Sequence, residues 1–174
     1  MEHHQRWLSI NISRIGYMKL KILLTFLFFS NFSFAYDFMP FDINTRKAIE
    51  TKYLNQPLII SFWSIDCPYC IEDLKKLGKV LTKNTSVKLI TVCVDGKESA
   101  KKAERILSQA NLPQHEQYQY AEVDEDRLRY SIDPNWYGEL PRTYFYDATH
   151  QITPFSGKIS KAFLNKWFKN NPIN

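Results

Sequence analysis

The sequence predicts an α/β domain with a sheet at its centre and helices packed against it. Leu58-Ile59-Ile60-Ser61-Phe62-Trp63 and Val87 to Val94 are apolar runs of strand length, and each is followed by a helix-like stretch with one apolar stripe. A later pair, Thr143 to Asp147 and Gln151 to Phe155, reads as two strands joined by a tight turn at Ala148-Thr149-His150. Strand, helix, strand, helix in this order argues a parallel βαβ unit with a right-handed crossover.

Tyr36 to Asn44 reads as an irregular lead-in containing Pro40, and Thr45 to Leu54 as a short helix capped by Asn44. Asn55-Gln56-Pro57 breaks that helix before the first apolar run. Ile71 to Leu81 is the next helix, with Leu74, Leu77, Val80 and Leu81 spaced for one face. Asp95-Gly96 closes the second apolar run. Lys97 to Ala110 then places Ala100, Ala103, Ile106, Leu107 and Ala110 on one stripe. Tyr118 to Val123 reads as a short strand, Asp124 to Tyr130 as a short helix capped by Asp124, and Asp133 to Pro141 as a loop. A last helix, Ser160 to Phe168, offers Phe163, Leu164, Trp167 and Phe168 to the core and three lysines to solvent. With no repeat or linker in view, the chain reads as one domain behind a leader.

That leader has the layout of a secretory signal peptide. Lys19 and Lys21 precede the apolar stretch Ile22 to Phe29, and Ser33-Phe34-Ala35 ends in small residues at the positions a signal peptidase reads. The expectation is cleavage after Ala35, giving 1–35 as signal peptide and 36–174 as the folded domain, with Met18 as an alternative start. Ser30-Asn31 interrupts the apolar core well short of the roughly 20 residues that span a bilayer, which favours cleavage over anchoring. Arg6, Arg14, Lys19, Lys21 and Glu2 leave with the leader, so the formal net charge of +5 is mostly targeting charge. No Lys/Arg stripe interleaved with aromatics gives footing for nucleic-acid binding. The expected location is the periplasm or another exported compartment.

Cys67-Pro68-Tyr69-Cys70 carries the chemistry. A cysteine at a helix N-terminus faces unpaired N–H groups and the positive end of the helix dipole, which stabilise a thiolate. A second thiol within reach supplies the rest of a disulfide-exchange apparatus. Half of a zinc site is the second reading, but tetrahedral zinc wants four ligands and the sequence has no second pair. A structural disulfide is the third, and the spacing within a helical turn suits it poorly. Cys93, mid-strand, reads as a small buried hydrophobe. His115 and His150 read as surface residues. Trp63 reads as core packing, and Trp136 equally as packing or as part of an apolar rim.

These residues resemble the thioredoxin superfamily and, within it, the exported TlpA-like thiol–disulfide oxidoreductases. Phe62-Trp63-Ser64-Ile65-Asp66-Cys67-Pro68-Tyr69-Cys70 is similar to the family's strand end and active-site turn. Leu140-Pro141-Arg142-Thr143-Tyr144-Phe145-Tyr146-Asp147 is similar to the segment that holds its cis-proline. The resemblance covers roughly Asp42 to Phe168 and implies a thioredoxin-like fold, a central mixed β-sheet flanked by helices. It implies that Cys67 and Cys70 are catalytic, that Pro141 is cis beside them, and that the Leu140 backbone is offered to a bound strand. Trp63, Asp66, Pro68, Tyr69 and Arg142 fall to the supporting shell. Pro68 and Tyr69 match the glutaredoxin dipeptide.

The chain departs from the family at Ser61, where many thioredoxins carry a buried acid, and at Asp66, where a Trp is common. Glu72, Asp73 or a water remain as acceptors for the Cys70 proton. The Asp66 carboxylate opposes a Cys67 thiolate, and Arg142 favours one if it points inward. The expected function is an exported thiol–disulfide oxidoreductase without metal or organic cofactor. Its partners would be client proteins with disulfides or thiols and a membrane-bound or periplasmic electron donor. A reductant is favoured because no helical domain is inserted, as DsbA-like oxidants usually have. The alternatives are a DsbA-like oxidant or a non-catalytic periplasmic metal or thiol chaperone.

Overall fold

The computed structural model describes residues 38–112, 114–121 and 124–171. Along the chain it contains β1 (Met39–Phe41), α1 (Thr45–Lys52), β2 (Leu58–Trp63), α2 (Pro68–Leu81), β3 (Lys88–Cys93) and α3 (Ala100–Gln109). The remainder is β4 (Glu116–Tyr120), α4 (Glu125–Ile132), β5 (Arg142–Tyr146), β6 (Ile152–Ser156) and α5 (Lys161–Asn170). The strands form one mixed sheet in the order β1-β4-β3-β2-β5-β6. β1, β4, β3 and β2 pair in parallel, whereas β5 runs antiparallel to both β2 and β6. The expected signal peptide and its cleavage site lie outside the described residues.

Continuous apolar runs become central strands because both faces are covered. All six residues of β2 and all five of β5 are buried. On one face α2, α3 and α5 contribute Leu74, Leu77, Leu107, Leu164 and Trp167, packed on Ile59, Trp63, Leu89 and Phe145. On the other, Ile49 of α1 and Leu128 and Ile132 of α4 close over Leu58, Ile60, Phe62 and Tyr144. Phe62 is the hub there, with ring centroids 5.4 Å from Phe41 and 5.2 Å from Trp136. Successive strand residues face opposite layers, so Phe62 and Trp63 belong to different cores.

Several local expectations are corrected. The lead-in is not irregular: Met39–Phe41 pairs with Tyr118, Gln119 and Tyr120 as an edge strand, where a proline costs little. Asn44 occupies the N-cap position of α1 without a side-chain cap. Asp42 does the work instead, its Oδ1 accepting from the Asn44 N–H and the Thr45 hydroxyl at 2.9 and 2.7 Å. β4 begins at Glu116 and ends at Tyr120, earlier than the aromatic run suggested. A 3₁₀ turn over Lys97–Ser99 precedes α3. Asp124 and Ser160 do cap α4 and α5, accepting from Arg127 N and Phe163 N at 3.0 and 3.1 Å. His150 is half-buried rather than a surface residue, with Nε2 2.7 Å from the Tyr53 carbonyl oxygen.

Gly78 lets α2 meet the end of α3: a Cβ there would collide with the Ala110 carbonyl oxygen. Gly78→Ala is expected to destabilise the domain by about 1–3 kcal/mol, despite its better helix propensity. A urea titration would show this as a lower midpoint at unchanged slope.

Candidate active site

The chain leaves β2 at Trp63 and enters α2 at Pro68. Cys67 is the N-cap residue, in extended conformation, and its Sγ accepts a hydrogen bond from the Cys70 N–H at 3.2 Å. Pro68 fits the first helical position because it has no N–H to leave unpaired. Cys67 and Cys70 form a disulfide, with Cys67 half-exposed and Cys70 buried. Cys70 is therefore closed to an incoming partner, and Cys67 is the more accessible of the two.

Asp95 holds the approach to this turn. The register pairs Trp63 with Cys93, so the residues two further on, Ile65 and Asp95, lie side by side. The Asp95 carboxylate accepts from Ser64 Oγ at 3.0 Å and Ile65 N–H at 2.8 Å. It also accepts from the Cys93 thiol at 3.2 Å. Sequence reasoning passed over Asp95 as the end of a strand; its place after a strand parallel to β2 was the available signal. Burial pushes the Cys93 thiol up, away from the thiolate that redox chemistry requires.

The Leu140–Pro141 bond is cis. Phe62 pairs with Arg142 in the antiparallel register, which sets Pro141 opposite Trp63 at the level where the chain turns toward Cys67. The Pro141 carbonyl accepts from the Gly157 N–H at 2.8 Å. Leu140 is half-buried and touches both cores.

Other residues assigned to the site divide by face. Trp63 is fully buried in the core that holds Cys70. Asp66 is exposed and pairs with Lys102 at 2.6 Å. Tyr69 is 58% exposed, with the Lys158 ammonium 5.4 Å from its ring centroid. Arg142 does not point at the cysteines: it shares Phe62's face, the opposite one from Cys70. Its guanidinium pairs with Asp133 at 2.6 Å and stacks on Tyr144 at 4.9 Å. Trp136 is buried there too, its indole N–H donating to the Glu139 carbonyl at 2.9 Å, so it packs rather than forming a rim.

Both acids near Cys70 in sequence are engaged. Glu72 pairs with Lys158, which holds its carboxyl below the usual range. Asp73 is buried, which pushes its carboxyl up against the pull of Lys76 at 2.8 Å and the Ile159 N–H at 2.8 Å. Where an acid would stand in β2, the Ser61 hydroxyl lies 3.3 Å from that of Thr143.

A parallel core with a helix N-terminal cysteine pair on one face and a cis-proline turn beside it decides the architecture. The chain has the thioredoxin fold. Solved structures that share it include a secreted disulfide oxidoreductase of Mycobacterium tuberculosis, at 17% identity and a TM-score of 0.56 over 69% of this chain and 85% of that one. A thiol:disulfide interchange protein of Chlorobium tepidum matches at 14% identity and TM-score 0.58, over 70% and 83%. The thioredoxin domain of a Bacteroides vulgatus thiol–disulfide oxidoreductase matches at 15% and 0.56, over 70% and 84%. No family model and no curated protein matches the sequence.

On this thioredoxin fold Arg142 has a structural partner, with a pH signature. Burial works to raise the Asp133 carboxyl, but the Asn135 N–H, Arg142 and the Tyr144 hydroxyl together hold it below its usual value. A carboxyl lowered by folding stabilises fully above its unfolded value, about 3.9, and loses that contribution as pH falls through the folded one. Arg142→Met is expected to move acid unfolding to higher pH, followed by circular dichroism. The same variant should leave the Cys67 titration in the reduced protein unchanged.

Proposed function

We propose that the chain is an exported thiol–disulfide oxidoreductase that works through Cys67 and Cys70. The observation that carries this reading is the asymmetry of the pair. Half-exposed Cys67 caps α2 with the Cys70 N–H directed at its sulfur, while Cys70 is buried behind it. In the reduced protein the same amide and the helix N-terminus would favour a Cys67 thiolate.

Cys67 Sγ⁻ attacks one sulfur of a client disulfide; that S–S bond breaks, a mixed disulfide forms and the first client sulfur leaves as a thiolate. Cys70 gives up its proton and attacks Cys67 Sγ. The mixed disulfide breaks, the second client sulfur leaves, and the Cys67–Cys70 bond holds the two electron equivalents' worth of oxidation. A donor dithiol would reduce the pair again. Protein thiols and disulfides are accordingly the partners, and the leader 1–35 would deliver the domain outside the cytoplasm. Among the described residues no helix is long and apolar enough to cross a membrane.

A reductant is favoured over an oxidant on electrostatic grounds. DsbA is strongly oxidising because its reduced form is stabilised. Here Arg142 is turned to the other face, and the rim lysines, Lys102 and Lys158, are paired with Asp66 and Glu72. Thiolate stabilisation then falls chiefly to the helix terminus.

Cys70→Ser is expected to accumulate mixed disulfides with client proteins, and Cys67→Ser to trap none; non-reducing gels read this, and equal trapping by both would reject the assigned roles. The pair's reduction potential, measured against glutathione, is expected nearer thioredoxin's value of about −270 mV than DsbA's of about −120 mV.

A further inference from the structure

We propose that Asp73, buried on α2 three residues after Cys70, is a positioning residue that sets how a protein client docks, acting through Ile159. This rests on the disulfide-exchange reading above. The pair of buried Asp73 and half-buried Lys76 holds both backbone polar groups of one residue. Asp73 Oδ2 accepts from the Ile159 N–H at 2.8 Å, and Lys76 Nζ donates to the Ile159 carbonyl at 2.9 Å. Lys76 also closes on Asp73 Oδ1 at 2.8 Å, so the three groups form one unit. Two residues earlier, the Gly157 N–H donates to the Pro141 carbonyl at 2.8 Å.

The segment 157–159 is therefore a short strut between two parts of the site. One end grips the carbonyl of the cis-proline; the other is locked to α2 three residues after Cys70. Between them, Lys158 reaches Glu72 and lies over the Tyr69 ring 5.4 Å away. A client strand gripped near Leu140 and Pro141 must present its sulfur to Cys67. The separation of those two places is then fixed by the sheet on one side and by this strut on the other. An aspartate whose side chain is only 1% exposed is costly to bury unless its charge is met. Its pairing with Lys76 and Ile159 makes it a rigid fixture rather than a proton carrier, since both carboxylate oxygens are occupied.

Positioning predicts a split between large and small substrates. A client protein must fit the gap; a small disulfide needs only the Cys67 sulfur. Asp73→Asn keeps an acceptor for Ile159 but loses the Lys76 pair, and Asp73→Leu loses both. With insulin as protein disulfide, KM should rise at least about threefold in Asp73→Asn and further in Asp73→Leu. With hydroxyethyl disulfide, turnover should stay within about twofold of the parent. Equal losses on both substrates, or none on either, would overturn the proposal. Hydrogen exchange on the oxidised protein tests the strut without any turnover. Asp73→Asn should speed exchange at Ile159 and also at Gly157, whose bond to Pro141 the substitution does not touch, while β2 and β3 stay protected. A Gly157 amide that keeps its protection rejects the strut. A parent protein that reduces neither disulfide would reject the redox reading instead, and the exchange result would still decide the strut. Should Asp73→Leu fail to fold, Asp73→Asn carries both measurements.

Discussion

A strand buried on both faces has to pass its chain to a helix on one face within four residues, Ser64 to Cys67, and that constraint shapes everything around the cysteine pair. The turn runs partly inside the protein, so its backbone groups need partners. Asp95 supplies them from the end of the neighbouring parallel strand, accepting from Ser64 and Ile65. The Cys67 N–H in turn reaches the Ser64 carbonyl at 3.2 Å. Cys67 is thereby delivered to the helix start with its sulfur facing the Cys70 amide. The position of the Cys67 sulfur is thus a consequence of how β2 ends.

The second consequence is a separation of charge by face. Strand alternation sends Trp63 to the layer beneath α2 and Phe62 to the layer beneath α1 and α4, and Arg142, registered with Phe62, goes with the latter. The guanidinium that the linear sequence sets beside Pro141 is thus committed to Asp133 and Tyr144. Around Cys67 itself the charged side chains occur as pairs, Asp66 with Lys102 and Glu72 with Lys158. Exposed pairs of this kind contribute little energy and partly cancel one another's field at a nearby sulfur.

What was legible in the sequence follows from which signals are local. The runs that became β2 and β3 are mostly apolar over strand length, so their identity as central strands is legible without tertiary information. The helix start at Cys67-Pro68 carried its own cap chemistry. Met39–Phe41 carried none: three residues, one of them proline, become a strand only because β4 offers an edge. Glu116, Gln117 and Gln119 likewise look polar, yet Gln117 and Gln119 are buried with their amides bonded to the Leu112 and Gly96 carbonyls at 2.8 and 2.6 Å. Asp95, Gly157 and Ile159 were not legible as site residues because their roles exist only through register and through backbone atoms, which side-chain identity does not report. The direction of Arg142 could have been read, since a residue one place beyond Pro141 has a fixed parity against Phe62 once the antiparallel pairing is assumed.

The remaining matter is protons, and here the positions of Ser61 and Asp73 argue together. Beneath the pair, where a carboxylate could have stored a proton, two hydroxyls face each other at 3.3 Å. The nearest buried acid along α2 has both oxygens occupied by Lys76 and Ile159. Neither arrangement is built to exchange protons in each cycle. The proposed exchange would not require that it be: the attack of Cys70 would release one proton, and the departing client thiolate would take one up. A site whose proton balance closes between the two reacting molecules can use a buried carboxylate for geometry. That is how Asp73 is placed, with its charge spent on holding a backbone residue that leads, two positions away, to the carbonyl of the cis-proline.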